Sequence, residues 1–507
     1  MEKYDKLFVG GDLSGIQKYL YNISSHKAAV SLKGRSAKLS DYMNDWCKEI
    51  KDTSIKAGAK AAEAIYCSGG KFYIIVDYKD NPEIVTNAID QQAGVIKKRL
   101  WTEQMGQLGI NIAYIPFSEN ADGTVNLEGK TNQNCGELWK IVNAKFILQK
   151  NQKFKDILFE QYKDFFEPIA VGGRPKVCAI TGIESNTCVP LYDDTKNRPI
   201  DGKNNFYVLP IVREQVEYGE YLRDRYKFKN FDEYADGTEL GILRMDVDGL
   251  GKRFIKGFDS IEKYKEYSNS LTDFFEKGIK NLQEQKNYKD YLNIIYAGGD
   301  DLFIVGRWDK VIDFAELIHK ETENAPFNKG VMDEDKIHIS GGVAIVRATY
   351  PIAKAADLAG EAEEHAKQYD GEKCGKKEYG KKNAFHMLGK TISWYEFDEV
   401  KKNKEEFVRL ITKHSLSKSL LHQIMLYSSI ADRNKTFKEG EPKNYSYIWH
   451  LSYYLTRFAK RFEKSIDVCR FCYNLRDNEL NNERKLELIA LAARWAELIL
   501  KDELNNN

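Results

Sequence analysis

Apolar and polar positions alternate in blocks along the chain, and two of those blocks are written twice. An apolar run beginning at about Leu7 gives FVGGDLSGIQKYL over Phe8–Leu20, and ILRMDVDGLGKRF over Ile242–Phe254 repeats it, with Asp12 on Asp246, Gly15 on Gly249 and Lys18 on Lys252. A second pair follows each copy: IYCSGGKFYIIV (Ile65–Val76) and IYAGGDDLFIVG (Ile295–Gly306) align without a gap and set Ser68-Gly69-Gly70-Lys71 against Gly298-Gly299-Asp300-Asp301. The offsets are about 234 and about 230 residues, so the spacing within each copy is nearly equal and the repeat is a duplicated domain. At the second motif one copy keeps its acids and the other has lost them.

The same patterning predicts the elements. The run Gly241-Ile242-Leu243 leads into Asp246-Val247-Asp248, a strand whose period of two puts both carboxylates on one face. Tyr291–Tyr296 and Leu302–Val305 read as two strands joined by a tight turn in which Gly298 and Gly299 take positive φ and present Asp300 and Asp301. Residues His338–Lys367 predict a strand, then a helix with Pro351 in its first turn and a small-residue stripe of Ile352, Ala355, Ala359, Ala362 and Ala366 suited to packing on a sheet. Gly136–Lys150 predicts a helix that closes the first copy. Beyond Asp398 the amphipathic stretches Lys418–Ile430, Tyr445–Lys464 and Asn482–Lys501, with a turn over Lys438–Pro442, predict a helical bundle. The charge-dense Lys401–Glu406 and Asn505–Asn507 read as linker and tail.

Side by side, these strands would gather Asp246, Asp248 and Asp300. Carboxylates at that range repel unless a divalent ion neutralises them, and Mg²⁺ or Mn²⁺ fits an all-oxygen set with no His or Cys nearby. Such ions activate a ribose hydroxyl and hold a leaving pyrophosphate. A lone GGDD is ordinary hairpin chemistry; Asp-x-Asp, GGDD and SGGVA in this order are what carry the chemical reading.

Those motifs resemble the palm of nucleotide cyclases and of GGDEF-type diguanylate cyclases. The duplication, GDLSGIQ followed by KAAVSLKGRSAKL (Lys27–Leu39), the intact second copy, KKNAFHMLGKTISW (Lys381–Trp394) and the helical tail together resemble the large signature subunit of type III CRISPR effector complexes over nearly the whole chain. The resemblance implies an α+β fold with a degenerate palm (1–150), an inter-palm domain (151–237), a catalytic ferredoxin-like palm (238–398) and a C-terminal helical domain (399–507). It implies a cytoplasmic, RNA-guided antiviral nucleotidyltransferase that turns ATP into cyclic oligoadenylate, or joins AMP to S-adenosylmethionine, when target RNA is bound. Implied partners are guide RNA-bound backbone subunits, small helical subunits and target RNA, with no membrane. A free-standing cyclase that needs no guide RNA is the alternative; a nonenzymatic scaffold would be favoured only if Asp246 or Asp300 were missing.

Within that resemblance Asp246 and Asp300 are the first metal ligands, with Asp248 and Asp301 behind them, and Asp246, Asp300 and Asp301 are the catalytic set. Gly298 and Gly299 let a triphosphate approach, with Asp248 and Lys252 beside it. Ser14, Ser68, Gly69, Gly70 and Lys71 of the acid-poor palm hold the second nucleotide, Lys71 meeting phosphate where an Asp would have met a metal. Lys18 and Lys252 at matched positions read equally as a repeated helix cap.

Two features depart from the family. No His-Asp dipeptide occurs among eight His and the first palm strand starts at about Leu7, so no HD nuclease activity is expected. The inter-palm zinc ribbon is reduced to Cys178 and Cys188, with Thr181 where a second Cys would fall, and two thiolates do not close a tetrahedral site; no zinc is expected.

Composition fits a multidomain intracellular enzyme: 507 residues, 42% hydrophobic and 30% charged, without an apolar signal segment or a spanning run. Eight Cys give no disulfide framework, and Cys469-Arg-Phe-Cys472 reads as buried thiols on a helix. With 77 Lys+Arg against 76 Asp+Glu no global field gathers nucleic acid, so RNA contact must be local. Candidate patches are Lys33, Arg35 and Lys38, and Arg457, Lys460, Arg461 and Lys464 beside Tyr453-Tyr454. The second reads first as a solvated helix face.

Overall fold

The computed structural model describes residues 4–24, 27–78, 82–160, 162, 175–191, 206–332, 335–372, 380–434, 442–480 and 482–505. The loop with Asp193-Asp194 and Arg198-Pro199, most of the GGRP stretch and of the Lys438–Pro442 turn, the tail end Asn506–Asn507 and Cys374 lie outside the described residues. The chain divides into two compact units, Met1–Ile339 with Val346–Ala359, and Ser340–Ile345 with Gly360–Asn507.

The first unit opens with strand Lys6–Ser14, helix Ala28–Lys56, the hairpin Ala59–Ser68 and Lys71–Tyr78, helix Pro82–Gln104 and strand Gly109–Glu119. Lys6–Ser14 pairs antiparallel with Lys71–Tyr78 on one side and Gly109–Glu119 on the other, so the hairpin's outer arm is an edge and the order is that of a ferredoxin-like βαββαβ sheet. The second copy follows suit. Strand Glu239–Val247 pairs with Asp301–Arg307, which pairs with the outer arm Leu292–Gly298. Alternating Val, Ile, Leu and Phe fill both central strands, and Leu7, Phe8, Ile242, Leu243, Ile304 and Val305 are fully buried.

The two palms meet face to face within this unit, and each covers the other's open edge. Helix Ala28–Lys56 of the first lies against strand Leu292–Gly298 of the second, while helix Ile261–Asp273 of the second lies against strand Ala59–Ser68 of the first. Beside these contacts an aromatic cluster fills the seam: the Trp139 ring stacks on Tyr264 at 3.9 Å between centroids and lies 4.4 Å from Phe8 and 6.0 Å from Phe254. Two of the three residues of the expected first RNA patch, Lys33 and Arg35, are engaged inside the protein. The Lys33 ammonium donates to the Ile294 carbonyl of the other palm. Arg35, 1% exposed, donates to the carbonyl of Asn22 at 3.1 Å, to that of Tyr19 and to the Gln215 side chain at 3.1 Å. Lys38 lies 3.9 Å from Glu214. A guanidinium engaged this way inside the protein cannot meet phosphate, so Arg35 and Lys33 are withdrawn from the expected patch, whereas Lys38 stays partly exposed.

Gln215 belongs to helix Pro210–Tyr226 of the inter-palm segment, which crosses helix Ala28–Lys56 at a pair of glycines. A Cβ on Gly34 would come within 1.8 Å of the Gln215 carbonyl oxygen, and one on Gly219 within 1.9 Å of the Val30 carbonyl oxygen. Only hydrogen fits at either place, which is why two weak helix formers persist here. Cys178 and Cys188 are buried beside the short strands Lys176–Val177 and Val189–Pro190 that precede this helix.

In the second unit the parallel pair of Gly341-Gly342 with Phe385-His386 leads into the hairpin Ala384–Met387 and Lys390–Ser393. Gly342 sits so close to Ala362 of helix Ile352–Lys367 that a Cβ would lie 2.5 Å from the alanine methyl, and the stripe of Ile352, Ala355, Ala359, Ala362 and Ala366 is buried as expected. Ser393 and Glu396 form a capping box that starts helix Trp394–His414, and Arg484 closes on Glu396 from helix Glu483–Asn505. Lys401–Glu406, expected as linker, therefore lies inside a helix, and the 398/399 boundary cuts that helix. The charge run is its solvated face around the buried Phe397, Val400, Phe407 and Leu410. The bundle's other helices are Ser419–Arg433, Ser446–Arg461 and Ile466–Asn474; the last carries Cys472, fully buried, and Cys469, whose thiol faces the Ala459 and Phe462 carbonyls at 3.5 Å. No helix among the described residues is long and apolar enough to cross a membrane.

Two outcomes test this packing. Gly219→Ala should lower unfolding stability by about 1–3 kcal/mol through overpacking, whereas Gly94→Ala, in helix Pro82–Gln104 with nothing within 4 Å of its Cβ, should raise it by up to ~1 kcal/mol; denaturant midpoints compare them. Burial lowers the Lys33 ammonium to about 8. The folded chain then releases this proton at lower pH than the unfolded chain, so this residue's contribution to stability rises with pH from about 8 toward the ordinary lysine range. The stability of wild type relative to Lys33→Met should accordingly increase across that window, and a flat difference would rule out the buried ammonium.

Candidate active site at the hairpin tips

Each palm ends its hairpin in a glycine turn, and the two turns touch. In the first copy Gly69 and Gly70 have φ of +59° and +77°, the paired positive values of a type I′ turn. In the second only Gly299 is left-handed, at +67°; Gly298 closes strand Leu292–Gly298 and is confined instead by the Tyr296 hydroxyl, 2.7 Å from where its Cβ would be. The expectation of positive φ at both thus holds for Gly299 alone, because Asp300 stands where the first copy has its second left-handed glycine. A Cβ on Gly299 would fall 2.7 Å from the Gly69 Cα and 2.5 Å from the Tyr66 hydroxyl, and one on Gly69 would fall 3.2 Å from an Asp300 carboxylate oxygen.

Strand register decides which acids face each other. Asp301 is paired across the ladder with Asp246, and one carboxylate oxygen from each lies within 4.8 Å of the other. It is thus Asp301, rather than Asp300, that stands opposite Asp246. Asp300 occupies the turn, its carbonyl taking the Val247 amide at 3.1 Å, and its side chain faces the first palm's Gly69. Asp248 follows the strand, with its amide donated to the His338 carbonyl at 2.8 Å. Lys252 is exposed on the short helix Leu250–Lys256.

The same register in the first palm pairs Asp12 with Lys71. Asp12 is 3% exposed, and its carboxylate meets the Lys150 ammonium at 2.7 Å. Where the second palm sets two acids in register, the first sets an acid against a lysine and adds Lys150. Ser14 ends its strand with the hydroxyl donated to the Gly109 carbonyl at 3.0 Å, so its oxygen is engaged in the sheet. Ser68 reaches across instead: its hydroxyl donates to the Glu276 carboxylate of the second palm at 2.8 Å. Gly70 is held by the Leu13 amide at 2.7 Å and leaves no room for a Cβ beside Ile16.

The sequence reading missed Tyr66, Tyr296 and Glu276. Burial first and the Asp300 carboxylate next push the Tyr66 hydroxyl well above the usual phenol range, and burial followed by Asp301 and Asp300 do the same to Tyr296. Both stay neutral donors beside the acids. Their signal was present, since the aligned motifs carry Ile-Tyr in both copies. Glu276 had none: it projects from a π-helical turn, Phe274–Gly278, which breaks the 3.6-residue period. With Ser40, Asn44, Cys67, Ser68 and Tyr296 it lines a cavity of about 70 Å³ between the palms.

Comparison with known proteins agrees with this geometry. Residues 239–375 match the model of the Cas10/Cmr2 second palm domain, and residues 6–169 that of Csm1 subunit domain B, together more than half of the chain. The chain is 26% identical over 455 residues to the single-strand-specific deoxyribonuclease Cas10/Csm1 of subtype III-A from Enterococcus italicus, covering 78% of this chain and 55% of that protein. For the Streptococcus thermophilus protein of the same description the figures are 24% over 523 residues, 90% and 63%, so the chain spans about three fifths of such relatives. Among solved structures, the Csm1–Csm4 cassette in complex with cA4 superposes with a TM-score of 0.63 at 20% identity, covering 97% of this chain and 70% of that one. The apo cassette gives 0.62 at 18%. Duplicated palms, matched motifs and these likenesses converge: the chain belongs to the Cas10/Csm1 family, the large signature subunits of type III CRISPR effector complexes.

Proposed function

We propose that the chain is the nucleotide-messenger subunit of an RNA-guided type III effector, joining nucleotides from ATP at the seam of its two palms when target RNA is bound. The observation that carries this is the opposed pair Asp246 and Asp301 at a hairpin tip pressed against the glycine turn of the other palm. Two carboxylates with oxygens within 4.8 Å of each other and no imidazole or thiolate in the set suit a hard divalent cation. Asp246 and Asp301, with Asp300 beside them, would hold Mg²⁺ or Mn²⁺, which when bound supplies charge neutralisation for a nucleotide's phosphates and a more acidic ribose hydroxyl.

The chain's own groups then divide the work. The Gly298-Gly299 backbone and Lys252 would take the donor triphosphate, with Asp248 beside it; Ser68, Gly69, Gly70 and Lys71 would seat the second nucleotide, with Ser14 acting through the strand end it fixes. Tyr66 and Tyr296 stay protonated and donate hydrogen bonds where phosphate charge gathers. The Cas10/Csm1 relatives and the cassette structures containing cA4 and ATP support cyclic oligoadenylate as product; AMP joined to S-adenosylmethionine is the other product to assay. The Csm1–Csm4 subcomplex supports a Csm4-like backbone subunit as partner; guide RNA, small helical subunits and target RNA complete the proposed assembly.

Asp246→Asn or Asp301→Asn should reduce pyrophosphate release from ATP by about a hundredfold or more while leaving the melting temperature near wild type, since each swap keeps the side-chain shape and removes one of two carboxylates that face each other. The assembled complex with target RNA should turn over at least about a hundredfold faster than the subunit alone, because an error of about 1 Å in aligning the palms costs that much. Mass spectrometry of products from ATP, with and without S-adenosylmethionine, reads the outcome. Equal turnover by the lone subunit and by the complex with and without target RNA would instead identify a free-standing cyclase.

A further inference from the structure

Helix Ser446–Arg461 of the C-terminal bundle buries Tyr447, Leu451, Leu455 and Phe458 and leaves its opposite side aromatic and basic. Trp449 is 59% and Tyr453 63% exposed, four residues apart and therefore neighbours on one face. Four residues further on, the exposed Arg457 lies 5.6 Å from the Tyr453 ring centre and donates to its hydroxyl at 3.0 Å. A second such stack stands alongside, its cation already engaged: the Arg476 guanidinium lies 4.8 Å from the Tyr473 ring centre, donates to Thr456 of this helix at 3.1 Å and is paired with Asp477 at 2.6 and 3.0 Å.

An exposed tryptophan next to an exposed tyrosine costs solvation, and neither ring rests on a core. Charge narrows the occupant. The helix holds no Asp or Glu, while Arg457, Lys460 and Arg461 gather toward its C-terminal end, with Lys464 one turn beyond. Flat rings in a row followed by fixed guanidinium groups match the alternation of base and phosphate along an unpaired strand; an apolar helix of a protein partner would bring no anions to meet these cations.

We infer that this ridge, Trp449, Tyr453, Arg457 and Arg461, binds single-stranded RNA, stacking bases on the two rings and holding phosphates at the two arginines without regard to sequence. It is independent of the palm chemistry and would stand if the proposed messenger synthesis failed. It also reverses the plainer reading of Arg457–Lys464 as a solvated face, because the exposed rings beside the charges are what a solvated face lacks.

The test uses the full chain and its own fluorescence. Trp46, Trp139, Trp308, Trp394 and Trp495 are buried and Trp101 is half-buried, so Trp449 is the tryptophan open to quenching. Titration with polyuridylate or polyadenylate should quench its emission, with affinity falling as salt rises. The double variant Tyr453→Ala/Arg457→Ala should weaken binding about tenfold or more with an unchanged melting temperature. Duplex RNA of the same length, whose bases are already stacked, should bind more weakly. Unquenched emission, equal binding of duplex and single strand, or affinity untouched by the double variant would each overturn the assignment, as would concentration-dependent self-association abolished by Trp449→Ala in the absence of any RNA binding.

Discussion

The close approach of Gly69 to Gly299 is the constraint on which the rest of the first unit depends. Two hairpin tips cannot come this near with side chains in the way, since a Cβ on either glycine would intrude on the other palm's turn. What brings them together is the packing behind: stacked Trp139 and Tyr264, the Lys33 bond to Ile294 and the helices laid along each other's edge strands. The seam is a largely apolar contact in which Lys33 meets a backbone carbonyl and Ser68 a carboxylate of the other palm. That packing behind the tips sets the distance between the two glycine turns.

Symmetry of fold with asymmetry of charge is the second theme. Both palms place an acid at the end of the central strand, Asp12 and Asp246, and both set it opposite the first residue of the hairpin's return arm, Lys71 and Asp301. The first pair is neutralised within the chain, by Lys71 in register and by Lys150 at 2.7 Å. The second pair carries two negative charges and no lysine in its register.

Much of this was legible in the sequence. The duplicated motifs locate both hairpins, and period-two alternation places Asp246 on its strand, since burial of a sheet face leaves the same trace in any chain. The choice between Asp300 and Asp301 was not legible, because it turns on which residue of GGDD is the last of the turn and which the first of the strand. Lys33 and Arg35 misled for a related reason: charge on an amphipathic helix is normally solvent-facing, and acceptors brought in only by the fold, the Ile294 carbonyl for Lys33 and the Tyr19 and Asn22 carbonyls with the Gln215 side chain for Arg35, turn it inward. Glu276 was hidden by its π turn, and Trp449 because periodicity marks one polar face without telling whether a ring in it is covered.

The reciprocal cover of edge strands carries a consequence for ancestry. Two identical palms related by a dyad could protect each other's edges as a homodimer, and such an isologous pair is the commonest oligomer a single gene produces. In a homodimer, however, every substitution appears twice, so an acid tip and a lysine tip could never face each other. Tandem fusion lifts that restriction: once the copies are joined, one hairpin is free to keep its acids and the other to replace them, while the shared seam keeps both folded.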